Sequence, residues 1–258
     1  MRTTVVTGSA SGIGAALAQL LTSRGERVIG VDIHDADVVA DLTTAEGRDA
    51  LVAGVTELSG GHIDAVVANA GLAHPIPATI AVNYFGAIAT LEGLRPLLAG
   101  SPAPRAVVTC SMASLMPNDP ELVELCLAGD ETGALARAAV LADGAETGGL
   151  IYGSSKAAVA RWLRRNAATP AWAGAGIPIN AIGPGIVVTP MTADLVDTEE
   201  KRAELRQVVP MPLNGFMGPE VPAALLAWLV SVENSHLCGQ VVFVDGGSDV
   251  VIRGESTW

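Results

Sequence analysis

The amino-acid sequence predicts an α/β protein: a doubly wound, seven-stranded parallel sheet with helices on both faces. Three observations predict it. Short apolar runs show no polar alternation, as in strands buried on both faces. They alternate with amphipathic helical patterns. A glycine-rich turn, "TGSASGIG", separates the first such run from the first helix. Together these describe a Rossmann-like order of elements.

The elements follow in order. "RTTVVTG" is a β-branched first strand, and residues 13–24 place Ile13, Ala16, Leu17, Leu20 and Leu21 on one helix face before Gly25 stops it. "RVIGVDI" is the second strand and "DVVADL", after a short turn, the third. Residues 44–58 form a helix with Leu51, Val52, Val55 and Leu58 inward, ended by Gly60-Gly61. "IDAVVANAG" is the fourth strand, residues 78–99 one long helix, and "RAVVTCS" the fifth strand. Residues 152–168 are helical, "IPINAIGPG" is the sixth strand, residues 219–232 are helical, and "QVVFVDGG" is the seventh strand.

Residues 115–149 break the alternation. Asp119-Pro120 is a suitable cap and first-turn pair, Gly129 a stop and Asp130 a second cap, so the stretch reads as an inserted helical hairpin. With no repeat or low-complexity linker, residues 1–258 are expected to form one domain.

Half of the 258 residues are hydrophobic and 16% are charged, enough to bury a large core. The net charge of −12 argues against nucleic acid and anionic membrane as partners. Cys110, Cys126 and Cys238 show no paired or metal-ligand spacing, and the four histidines share none, so no metal is assigned. No apolar run is long enough to span a bilayer, and no signal peptide is evident; a cytoplasmic protein is expected. Trp162, Trp172 and Trp228 are expected in core or interface packing.

The glycine turn carries chemistry. Gly8, Gly12 and Gly14 let backbone N–H groups approach a pyrophosphate at the positive end of a helix. Asp32 closes the second strand, 18 residues beyond Gly14, where a carboxylate accepts both ribose hydroxyls of NAD and repels a 2′-phosphate. No Lys or Arg stands at Ser11 or just after Asp32, so NAD is favoured over NADP.

A second constellation is "YGSSK". Tyr152 and Lys156 lie one helical turn apart on one face. A tyrosine near its ordinary pKa of about 10 is a poor base. The lysine charge, with that of an oxidised nicotinamide, is expected to stabilise the phenolate and lower that pKa toward the working range. Ser111, at the end of the fifth strand, stands where open α/β sheets bind ligands.

These motifs, with "NAG" at 69–71, "VNYFG", "VVTCS" and "PGIVVTP" at 184–190, resemble the short-chain dehydrogenase/reductase family over nearly the whole chain. The resemblance implies that Tyr152 is the general acid/base and that Ser111 bonds the substrate oxygen. It implies that Lys156 binds the nicotinamide ribose and that Asn83 holds a water in a proton relay. Gly8, Ser11, Gly12, Ile13, Gly14, Asn69, Ala70, Gly71 and Gly185 would line the cofactor, Asp41 and Leu42 border the adenine, and Thr189 bind the carboxamide. The short connection from Asp32 to Asp41, the short stretch from Gly71 to Asn83 and the long one from Ser111 to Tyr152 look like the bacterial 3α-hydroxysteroid dehydrogenase/carbonyl reductase branch.

The resemblance implies an NAD-dependent enzyme that interconverts a secondary alcohol and a ketone on a 3-hydroxysteroid or similar apolar compound. The same chemistry on a cyclic terpenoid alcohol or diol stays open, as does a non-catalytic dinucleotide sensor. Residues 190–217, charged but carrying Met191, Leu195, Val208, Met211, Phe216 and Met217, are expected to form a substrate lid. A homodimer is expected on residues 219–245, through the last strand and the helix at 219–232 with its apolar Leu225, Leu226, Trp228, Leu229 and Val230. The insert is expected to block the second interface that family members use for tetramers.

Overall fold

The computed structural model describes residues 1–257. Strand β1 (Thr3–Thr7) is uncharged and buried along its length, as suits the middle of a sheet covered on both faces. Helix α1 (Gly12–Ser23) follows, then β2 (Arg27–Asp32) and β3 (Val38–Val39). Only two residues of the expected third strand pair with β2, because Asp37 turns its carboxylate onto the Gly30 N–H at 2.8 Å just before the ladder begins.

Helix α2 (Ala45–Ser59) is capped by Thr44, whose hydroxyl accepts from the Gly47 N–H at 3.0 Å. Leu51 and Val55 face inward and Val52 is half-buried. Leu58, expected inward, is 40% exposed at the helix end, where the chain turns away through Gly60.

After β4 (Ala65–Ala68), the chain is helical from α3 (Pro77–Ile80) through α4 (Ala87–Leu98). The expected single α-helix contains a π turn at Ala81–Gly86. Asn83 sits in this turn and binds the backbone of Leu72 through both its amide oxygen and nitrogen. Such a widened turn often marks a functional site.

Strand β5 (Arg105–Thr109) leads to a 3₁₀ turn at Met112–Leu115 and then to the insert, α5 (Pro120–Ala128) and α6 (Glu131–Ala142). The caps are those expected. Asp119 accepts from the Leu122 N–H at 2.8 Å, Asp130 accepts from the Gly133 N–H at 2.9 Å, and α5 stops at Gly129. Leu122 and Leu141 are buried and Leu125 and Leu135 half-buried. They join the same apolar core as Val5 and Val66 of the sheet. The hairpin packs on α7 (Leu150–Asn166) and α3.

Strand β6 (Ile179–Pro184), α8 (Glu199–Val208), α9 (Glu220–Leu229), β7 (Val241–Val244) and α10 (Ser248–Arg253) complete the chain. The sheet order is β3-β2-β1-β4-β5-β6-β7, with every pair parallel. Helices α1 and α9 cover one face through Leu17, Leu21, Leu226 and Leu229. Helices α2, α4 and α7 cover the other through Leu51, Leu91 and Val159. A Leu17→Ala change in such a fully buried position costs about 2–5 kcal/mol. The two windings diverge between β1 and β4, so a crevice opens at the carboxyl ends of these strands. Trp162 and Trp172 pack edge to face at 6.2 Å. Trp228 is 40% exposed on α9, which suits an interface.

Candidate active site

The crevice is a cleft of about 790 Å³, including the part open to solvent. Its floor is backbone. Gly8 has φ +71°, and a Cβ there would lie 2.9 Å from the Ala70 Cα. At Gly14 a Cβ would lie 2.0 Å from the Gly8 oxygen. The loop therefore folds back on itself and onto the end of β4 at distances that exclude a side chain. Thr7 locks the two strand ends together, its hydroxyl accepting from the N–H groups of Asn69 at 2.9 Å and Ala70 at 3.0 Å. The Thr109 hydroxyl donates to the Asn69 amide oxygen at 3.0 Å.

Ser11 makes no side-chain cap to α1, which leaves the first-turn N–H groups beside the cleft that Ser11, Gly12 and Ile13 line. This uncapped helix start and its close-packed glycines fit a dinucleotide pyrophosphate. Asp32 lies at the outer edge of the same loop. Its carboxylate accepts from Ala10 N–H at 2.9 Å and Ile33 N–H at 2.7 Å.

On the opposite wall stand Ser111, Tyr152 and Lys156. Ser111 begins the 3₁₀ turn, and its hydroxyl accepts from Ala113 N–H at 3.1 Å. Lys156 is buried; its Nζ donates to the Thr109 carbonyl at 2.9 Å and lies 5.7 Å from the Tyr152 ring centroid. Burial pushes the lysine pKa down to about 8. Burial also raises the Tyr152 pKa, and a hydrogen bond with Ser111 opposes that rise.

These are the contacts of the chain alone; the expected lowering of the Tyr152 pKa rests on Lys156 together with the positive charge of an oxidised nicotinamide. Desolvation outweighs the stabilising contacts at the tyrosine, and the same burial disfavours the charged lysine itself.

The fold brings Gly8, Ser11, Gly12, Ile13, Asn69, Ala70, Gly71, Ser111, Tyr152, Lys156, Gly185 and Thr189 into one cleft. Gly14, Asp32, Asp41, Leu42 and Asn83 are not among the residues that line it. Leu42 is buried against Gly86, where a Cβ would come within 2.9 Å of the Leu42 Cβ. Asp41 is exposed, and hydrogen bonds from the Thr43 hydroxyl and N–H hold its pKa below the usual value.

Asn83 uses both amide hydrogens, on the Leu72 carbonyl at 2.9 Å and the Ser155 hydroxyl at 3.0 Å. Ser155 in turn donates to the Tyr152 carbonyl at 2.7 Å. The sequence reading missed Ser155, Thr7 and Thr109. Their signal was position: two hydroxyls at strand ends and one between the tyrosine and the lysine. It also missed Thr192, whose hydroxyl accepts from Thr189 N–H at 3.0 Å and donates to the Val187 carbonyl at 2.6 Å.

Residues 2–122 match the family described as short chain dehydrogenase, and residues 121–249 the one described as enoyl-(acyl carrier protein) reductase. The 3-alpha-hydroxysteroid dehydrogenase/carbonyl reductase of Comamonas testosteroni is 37% identical over 254 residues, 96% of this chain and 97% of that protein. The chain belongs to the short-chain dehydrogenase/reductase family.

Another member, the cis-4-hydroxycyclohexanecarboxylate dehydrogenase of Sinomonas cyclohexanicum, is 31% identical over 97% of each chain. Among solved structures, the NADH complex of the 3-alpha-hydroxysteroid dehydrogenase from Pseudomonas sp. B-0831 is 40% identical. It superimposes with a TM-score of 0.87 over 98% of this chain and 99% of that one. As a short-chain dehydrogenase/reductase, the protein is an oxidoreductase that acts on CH–OH groups and their carbonyl counterparts with a nicotinamide dinucleotide.

Proposed function

We propose that the protein interconverts a secondary alcohol and a ketone on a 3-hydroxysteroid or a similar apolar cyclic compound, with NAD as cofactor. The observation that carries this reading is the convergence of Ser111, Tyr152 and Lys156 on one wall of the cleft, opposite the uncapped start of α1. The bound nicotinamide supplies the hydride acceptor for the alcohol and the hydride donor for the ketone.

The chain's own groups handle the proton. In the direction of reduction, Tyr152 donates its phenolic proton to the carbonyl oxygen while the Ser111 hydroxyl donates a hydrogen bond to the same oxygen. In oxidation the proton returns to Tyr152. Lys156 is held by Thr109 beside the tyrosine ring and lines the cleft, where its ammonium would bind the nicotinamide ribose. Asn83 first fixes Leu72 and, through Ser155, the Tyr152 helix; one lone pair of its amide oxygen is left for a relay water. Asp32 at the end of β2 supports NAD over NADP by repelling a 2′-phosphate.

The substrate side supports an apolar ligand. Met112, Val209 and Met211 form a small buried cluster, with Met116, Phe216 and Met217 packed against it. Leu195 and Val208 of the lid segment remain exposed, at 50% and 60%. Flexible thioethers adapt to a rigid polycyclic shape. Of the residues expected to form the dimer patch, Leu226, Leu229 and Val230 are buried in the core because α9 packs on the sheet, Leu225 is half-buried and Trp228 stays exposed. Trp228, with the exposed Val221 and Val232, supports a two-fold dimer through α9 and β7, with the insert covering α7. Light scattering showing a tetramer would refute that assembly.

The deciding experiment is a turnover assay across 3-hydroxysteroids, cyclic terpenoid alcohols, diols and their ketones, with NAD and NADP in parallel. The expected outcome is highest kcat/KM on steroids with NAD. Equal turnover with NADP would overturn the role of Asp32, and no turnover on any alcohol would return the sensor reading.

A further inference from the structure

The insert is tied at two points, to two segments that are far apart in the sequence. At one point it meets the Tyr152 helix. The Asp119 N–H donates to the Ser154 hydroxyl at 2.8 Å, and Ser154 lies two residues beyond Tyr152. Ser154 and Asp119 are both buried. Between them the backbones touch, since a Cβ at Gly153 would lie 2.9 Å from the Pro117 carbonyl oxygen. The Asp119 carboxylate accepts from α6, taking Arg137 Nε at 3.1 Å and Nη2 at 2.7 Å.

At the other point α6 meets the loop at 41–43. Glu131 forms a two-pronged ion pair with Arg48, one prong being Nη1 to Oε2 at 2.8 Å. Arg48 is mostly buried. It donates from Nε to the Leu42 carbonyl at 2.9 Å and from Nη2 to the Thr43 carbonyl at 3.3 Å, and its guanidinium lies 6.0 Å from the Phe85 ring centroid. Arg48 has no free role on α2: its donors are divided between the loop and the insert.

A helix that merely filled surface would need apolar contacts, and α6 has them in Ala134, Ala138 and Leu141. It would not need two two-pronged arginine–carboxylate pairs, six residues apart along α6, one reaching the 41–43 loop and the other the Asp119 turn that bonds Ser154 on the Tyr152 helix. Such pairs fix geometry as well as contribute attraction.

We propose that α6 is a brace across the site: Glu131, through Arg48, positions the Leu42–Thr43 wall, and Arg137, through Asp119, positions the Tyr152 helix. Glu131 and Arg137 are positioning residues and touch no reacting atom. The proposal rests on the reading of the 41–43 loop as the adenine wall and of Tyr152 as the acid/base.

The two ends predict different signatures. Glu131→Gln keeps the side-chain size and removes one charge. It should weaken binding of NADH, read by nicotinamide fluorescence, and of ADP-ribose, read by competition, by a similar factor of about fivefold, the size expected for losing a partly exposed pair. Its kcat at saturating cofactor should stay within twofold of the parent.

Arg137→Gln should do the reverse. NADH and ADP-ribose binding should hold within twofold, while kcat falls about fivefold, as for a slightly misplaced acid/base. Asp119→Asn, which retains an acceptor for the α5 cap, should follow Arg137→Gln in kind. The result that overturns the brace is a loss of melting temperature in these variants with NADH binding, ADP-ribose binding and kcat all unchanged per folded molecule. Parallel loss of binding and kcat in both variants overturns it too, because it would mean one diffuse structural effect. A Tyr152→Phe control separates the two levels: if that variant keeps its turnover, the catalytic reading fails, whatever the brace variants do.

Discussion

The two walls of the cleft are built from different materials. The cofactor wall is backbone: Gly8, Gly12 and Gly14 fold against Ala70 and against each other at distances no side chain tolerates, and Thr7 bolts the strand ends together. The other wall is side chain: Ser111, Tyr152, Lys156, Val187 and Met191 line it, and Met112, Met211, Met217 and Phe216 form an apolar cluster of their own beside Gly185. A backbone wall recognises a shape that never changes, the pyrophosphate. A wall of flexible apolar side chains recognises size and hydrophobicity and can be re-cut by substitution without disturbing the fold. The difference explains why the cofactor half can be read from motifs while the substrate half cannot.

The largest test of the contrast lies where the walls meet. Tyr152→Phe keeps the ring and removes the titrating hydroxyl. Turnover should fall by at least about 10²-fold, while NADH affinity, measured by fluorescence titration, should hold. Near-normal turnover would sink the mechanism.

A backbone wall should not tolerate even one methyl group. Gly14→Ala places a Cβ against the Gly8 oxygen. The loop must shift, and NADH binding should weaken by about tenfold or more, the equivalent of ~1.4 kcal/mol. Truncating Met217 to Ala in the apolar cluster should leave NADH binding unchanged. If both changes weakened NADH equally, the contrast between the walls would be wrong.

A side-chain wall should also be the mobile one. Hydrogen exchange in residues 190–217 should slow when NADH and a steroid are bound together, while exchange in β1 and β4, whose residues are almost wholly buried, stays slow throughout. Exchange equally slow in the free and ternary states would count against a lid.

The smallest effect concerns stability. The Lys156 pKa is lowered by burial to about 8, below its value in the unfolded chain. Between about 8 and the ordinary lysine value of about 10.4, the unfolded chain holds a proton that the folded chain has shed, so folding stability rises with pH through that window. Below it, the cost of burying the charge is fully present. Lys156→Met lacks this contribution. Its melting temperature relative to the parent should therefore be higher at pH 7 than at pH 10; a constant difference would show that Lys156 is not desolvated.

Sheet, helices and insert were legible because each rests on local rules. Uncharged β-branched runs make buried strands, and the caps at Asp119 and Asp130 bond as their spacing implies. Leu58 misled because burial depends on what lies over a helix end, which periodicity does not contain. The π turn around Asn83 was illegible for a related reason: it depends on Leu72, a partner in a loop eleven residues away.

By itself, then, the sequence determined the strand order's raw material, the glycine loop, and the Tyr152–Lys156 spacing, all of which act over a few residues. Tertiary structure alone decided the rest. It decided that burial pushes the Tyr152 pKa up within the chain, because desolvation is a property of everything packed around a group. It also placed Arg48 and Glu131, 83 residues apart, in contact at the edge of the site. No local pattern encodes that pair, since only the closing of the fold brings its members within reach.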